Sequence, residues 1–71
     1  MFDLRNALAS VDGAQCDFDA LEDLLARIRR ENLAEISPEV GTRELLRVAL
    51  LRGWITEDDD GQFHVQLDKA A

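Results

Sequence analysis

The 71-residue chain holds one cysteine, one histidine and only eight basic side chains. Each scarcity closes off a class of chemistry. A lone Cys16 can form neither an intramolecular disulfide nor a CxxC metal pair, and it reads as a small apolar packing residue in a reducing compartment. No basic neighbour precedes it to make it a reactive thiolate. The lone His64 has no cysteine or second histidine nearby, so it is expected as a solvent-facing strand residue rather than a ligand or general base. The acidic run Glu57 to Asp60 lacks the alternating ligands and distant bidentate glutamate of a calcium loop. Without a paired nucleophile and base, a glycine-rich phosphate loop or a metal cluster, the expectation is a protein that is not an enzyme and takes no metal or cofactor. Nor does any apolar segment approach the roughly 20 residues needed to span a membrane. The opening "MFDLRNAL" lacks the basic-then-apolar pattern of a signal peptide, so a cytoplasmic protein without membrane contact is expected.

The scarcity of positive charge matters most for partners. Eight Lys and Arg stand against 15 Asp and Glu, for a net charge of −7 and an isoelectric point near 4.4. Non-specific affinity for DNA or an anionic membrane comes largely from neutralising phosphates with basic side chains. An acidic surface is better suited to a basic or apolar protein partner. What is present is a globular composition, 46% apolar and 32% charged, too apolar for a disordered acidic tail. The length implies one small domain over residues 1–67, with 68–71 as a frayed tail. Marginal stability at this size makes a homodimer or a stable complex a reasonable expectation.

Periodicity organises the chain. Leu4, Ala7, Leu8 and Val11 have helical spacing, with Asp3 as N-cap and Gly13 as the stop. In "CDFDALEDLLARIRREN", Phe18, Leu21, Leu24, Leu25 and Ile28 form one continuous apolar face. Asp19 and Glu22 have the spacing of a capping box, and the acid-to-arginine order along this segment suits the helix dipole. "LAEISPEVG" reads as a linker, with Ser37 and Pro38 opening a helical turn. A third helix is predicted from about Thr42, ending at Gly53 as a left-handed cap. After it, Phe63, Val65 and Leu67 alternate with Gln62, His64 and Gln66, as in a strand with one buried face. Asp60-Gly61 is a good hairpin turn pair. A two-residue turn there sets Trp54 opposite Leu67 and Thr56 opposite Val65; a bulged turn shifts the register by one.

The order helix, short extended piece "AQC" (Ala14 to Cys16), helix, helix, hairpin resembles the winged-helix fold. The stretch "LLRVALLRGWITEDDDGQFHVQL" is similar to the recognition-helix end and wing of bacterial regulators of the multiple-antibiotic-resistance type. Ala49, Gly53 and Ile55 occupy the positions of their "L-x-x-x-G-x-I" pattern. The resemblance implies an α+β fold, three helices in a winged-helix-like domain with a C-terminal β-hairpin. Winged helices serve both DNA binding and protein binding. Two departures point away from DNA: the connector from Asn32 to at least Ser37 is longer than a DNA-reading turn, and the tip carries no arginine for a minor groove.

The charge map agrees. Six arginines (27, 29, 30, 43, 47, 52) fall in the middle of the chain, while acids dominate both ends. Arg43 and Arg47 share a helix face, with Glu39 and Glu44 as expected salt-bridge partners. Six of the seven positions 45–51 are apolar, more than a one-sided core needs, so part of that surface, with Leu50 or Leu51, is expected to stay exposed. Trp54 is expected beside the hairpin, covering the core or anchoring an interface. The function these features imply is a small acidic protein–protein interaction module, an adaptor, regulator or inhibitor. Its contact residues would be Leu50, Leu51, Trp54, Glu57, Asp58, Asp59 and Asp60, the tip carboxylates orienting a basic partner. The alternative is a dimeric, sequence-specific DNA-binding regulator acting through Arg43, Arg47 and Arg52. A third option is an acidic DNA mimic.

Overall fold

A computed structural model describes residues 2–67; the expected frayed tail lies outside the described residues. The elements are α1 (Leu4–Leu8) continued by a 3-10 turn (Ala9–Val11), β1 (Gln15–Cys16), α2 (Phe18–Glu31), α3 (Thr42–Arg52), β2 (Ile55–Glu57) and β3 (Phe63–Val65). The strands form one antiparallel sheet in the order β1-β3-β2. The fold is α+β, three helices followed by a C-terminal hairpin, with "AQC" supplying the minor third strand.

Aspartate caps start two of the helices, and a glycine ends the third. The Asp3 carboxylate accepts from the Asn6 amide at 3.1 Å and starts α1. At α2 the cap is Asp17, not the expected Asp19: its side chain accepts from the Ala20 amide at 2.8 Å. The chain leaves β1 extended through Asp17, which is therefore the last non-helical residue, and Asp19 falls inside the first turn. Helix α3 starts behind Gly41 with no side-chain cap. It stops at Gly53, whose φ of 78° lets the Trp54 amide donate back to the Ala49 carbonyl at 3.0 Å.

The core gathers Leu4 and Leu8 of α1, Leu21, Leu25 and Ile28 of α2, Leu45 and Ala49 of α3, and Ile55, Phe63, Val65 and Leu67 of the hairpin. Phe63, Val65 and Leu67 all point inward, as the alternation predicts. The hairpin register differs from the two-residue-turn expectation by one: Ile55 faces Val65, Thr56 faces His64 and Glu57 faces Phe63. Ile55 thus buries fully, while Trp54 is half-buried and Thr56 is exposed. The cause is a three-residue loop, Asp59 to Gly61. The Asp58 amide donates to the Gln62 carbonyl, the Gly61 amide donates to the Asp58 carbonyl, and Gly61 takes φ 80°.

The connector, residues 32–41, is held rather than loose. Ile36 is buried, and Arg29 of α2 donates from Nε to the Val40 carbonyl at 2.7 Å. Its Nη2 also reaches the Pro38 carbonyl at 3.4 Å.

Replacing a fully enclosed core leucine should remove much of the stability of so small a domain. Leu25→Ala is expected to cost about 2–5 kcal/mol in denaturant unfolding. Leu51→Ala, on the outside of α3, should stay within about 0.5 kcal/mol of the parent.

Candidate interaction surface

Helix α3 packs through Leu45 and Ala49, four residues apart on one face. Its remaining apolar side chains cannot all follow them inward. On the flank toward α2, Leu46, Leu50 and Leu51 meet Phe18 in a shallow groove of about 420 Å³ whose charged lining is Arg43 and Arg47. Leu51 is 76% exposed, Leu50 43% and Phe18 45%. Phe18 was expected in the continuous core stripe of α2. It sits instead at the first helical position, where its ring lies tilted against Phe63 (centroids 6.0 Å apart) and stays partly exposed. The local sign is a phenylalanine set between two aspartates, Asp17 and Asp19, in the opening turn.

The opposite flank of α3 forms a different cleft, about 510 Å³, lined by Trp54, Val48, Leu45 and Phe2 with Glu44 and Arg52 at its edges. The residues named from sequence therefore separate. Leu50 and Leu51 share one groove with Arg43 and Arg47, while Trp54 and Arg52 belong to the other. Arg43 and Arg47 do not engage Glu39 or Glu44: among the described residues, the pair His64–Asp58 is alone within 4.0 Å. Glu39 instead accepts from the Ser37 hydroxyl at 2.9 Å.

The tip acids also divide. Asp58 is an internal clamp: one carboxylate oxygen accepts from the amides of Asp60 (2.9 Å) and Gln62 (3.0 Å), and the other lies 2.8 Å from Nε2 of His64. A carboxylate only accepts, so that imidazole nitrogen carries the hydrogen. The bond to His64, followed by the Gln62 amide, holds the Asp58 carboxyl below its ordinary value. His64 is consequently half-buried against the turn rather than a free strand residue. Glu57, Asp59 and Asp60 remain exposed. On the facing strand, Cys16 is half-buried, and burial and then the neighbouring Asp17 push its thiol up, away from thiolate character. Among the described residues, no group of three His, Cys, Asp or Glu side chains is placed to hold a metal ion. No described helix is long and apolar enough to cross a membrane.

No protein-family model, curated protein or solved structure matches the chain.

Because the Asp58 carboxyl is depressed in the folded state, its contribution is present above the ordinary value of 3.8 and is lost as pH falls through the lower, folded value. The amides of Asp60 and Gln62 should therefore titrate together in NMR spectra with a midpoint below 3.8. Asp58→Ala should lower the melting temperature by several degrees while Asp59→Ala leaves it unchanged; equal effects from both would show that the clamp is not holding the turn.

Proposed function

We propose that this domain is a protein-recognition module built on a winged-helix-like scaffold, with the outer flank of α3 as its contact surface. The observation that carries the reading is the grouping of Leu51, Leu50 and Phe18, each more than two-fifths exposed, around one groove. A domain this small gains from burying such side chains, and packing on both sides of α3 leaves them to a partner. The element order α1-β1-α2-α3-β2-β3 and the sheet order β1-β3-β2 support the scaffold assignment.

The charge placement supports protein rather than DNA. Of the arginines offered for phosphate contact, Arg43 and Arg47 lie on the groove, but Arg52 lines the other cleft beside Glu44. Arg29 is committed to the connector carbonyls. Glu57, Asp59 and Asp60 stand exposed on and beside the hairpin tip, the part of a winged helix that would approach a phosphate backbone. Two arginines do not offset that repulsion. Since Asp58 is engaged inside the turn, the groove's arginines outrank the tip carboxylates as the charged determinants of partner choice.

Fluorescence anisotropy with mixed-sequence duplex DNA at low salt should show no binding. Salt-sensitive binding that disappears in Arg43→Ala/Arg47→Ala would overturn the recognition reading. A partner recovered by affinity capture, then purified and titrated calorimetrically, should bind Leu51→Asp at least about tenfold more weakly than the parent chain, because an exposed apolar anchor would be replaced by a charge. Undiminished binding by Leu51→Asp would remove α3 as the contact surface.

A further inference from the structure

We propose that the occupant of the α3 groove is a second copy of this chain, in a two-fold dimer that seats Phe18 of each copy between Leu46, Leu50 and Leu51 of the other. The inference rests on the recognition reading above and names its partner. The groove is apolar, and its charged lining is Arg43 and Arg47. Its complement is therefore an apolar side chain flanked by carboxylates.

The chain carries such a segment at the edge of the groove itself. Phe18 is 45% exposed and lies between Asp17 and Asp19, with Glu22 one helical turn onward. Asp19 and Glu22 are both exposed. Asp17 is already engaged with the Ala20 amide, and Glu22 borders a cleft with the same chain's Arg43, which leaves Asp19 as the carboxylate available to a partner.

Symmetry makes the arrangement self-consistent. A two-fold interface joins the same patch to itself, so the patch must contain both halves of each contact side by side. Here the aromatic and its acids come from the start of α2, and the leucines and arginines come from the facing flank of α3. A dyad passing between them sets Asp19 of each copy against Arg47 of the other, twice over. A net charge of −7 repels a second copy in any pairing, so the apolar contacts and the Asp19–Arg47 pairs must offset that repulsion. Arg43 shares a neighbouring cleft with Glu22, Asp23, Glu39 and Glu44, so Arg47 is the groove cation that a partner's carboxylate meets.

Sedimentation equilibrium on the full chain, from micromolar to millimolar concentration, should show a reversible monomer–dimer equilibrium. Leu51→Asp should weaken it at least about tenfold, as loss of an interface anchor does, while its circular-dichroism melt overlays that of the parent at concentrations where both are monomeric. Arg47→Glu and Asp19→Arg should each weaken self-association to a similar degree, since each sets like charges against one another twice. An equimolar mixture of those two variants should recover the dimer, because opposite charges then meet across both halves of the interface. A monomer at all concentrations, a dimer indifferent to Leu51→Asp, or a mixture that stays monomeric would each overturn the second-copy assignment. A chain that is monomeric yet binds a different purified protein through Leu51 would refute the dimer and keep the recognition reading. DNA binding through Arg43 and Arg47 would remove the recognition reading itself.

Discussion

The fold depends on the backbone pairing of β3 with the segment before α2. The Val65 amide donates to the Ala14 carbonyl at 2.9 Å, and the Val65 carbonyl accepts from the Gly13 amide at 2.7 Å. Asp12 extends the seam by accepting the Leu67 amide at 3.0 Å, joining residues 55 apart in sequence. On the other side of the strand, the Gln66 amide donates to the Trp54 carbonyl at 2.9 Å. The central strand therefore ties the chain's first third to its last. With backbone bonds fixed on both edges, Phe63, Val65 and Leu67 can only turn inward together, and α1, α2 and α3 close over them.

That closure leaves α3 with more apolar surface than the core can take. Its inward arc holds Leu45 and Ala49, and the sheet and the other helices fill the space around them. Leu50 and Leu51 on one flank and Val48 on the other must then meet solvent or something else, while Leu46 stays partly packed on the core. The surplus follows from size. A chain of 71 residues supplies too few layers to enclose a helix that is apolar around most of its circumference. Phe18 adds to the same surface because the seam forces α2 to begin at residue 18, leaving its first side chain at the rim of the core.

Formal charge is a poor guide to available charge in this molecule. Asp58 is the most engaged of the acids in the tip, satisfying two amides and an imidazole, and Arg29 spends its guanidinium on two connector carbonyls. What remains near the α3 groove is Arg47 with Arg43, the latter bordered by Glu22, Asp23, Glu39 and Glu44. The acidic tip and the basic middle of the chain, read as blocks, conceal this finer alternation.

The elements and their order follow from local pattern. Helical and strand periods, Asp3, Gly13 and Gly53 as boundaries, and the inward set Phe63, Val65 and Leu67 are all local properties of the backbone and the hydrophobic pattern. The expected exposure of Leu50 and Leu51 was legible for the same reason: six apolar residues in seven positions exceed one face of a helix. The choice of Asp17 over Asp19 as cap was not, because it depends on where β1 releases the chain. Nor was the hairpin register, because two turn geometries fit the same residues and the bonds made by Asp58 select between them. Which exposed residues are neighbours depends on how the helices pack. That packing sent Trp54 and Arg52 to one side of α3 and brought Phe18 to the other, since proximity across helices is set by packing of the whole core, which no local pattern encodes.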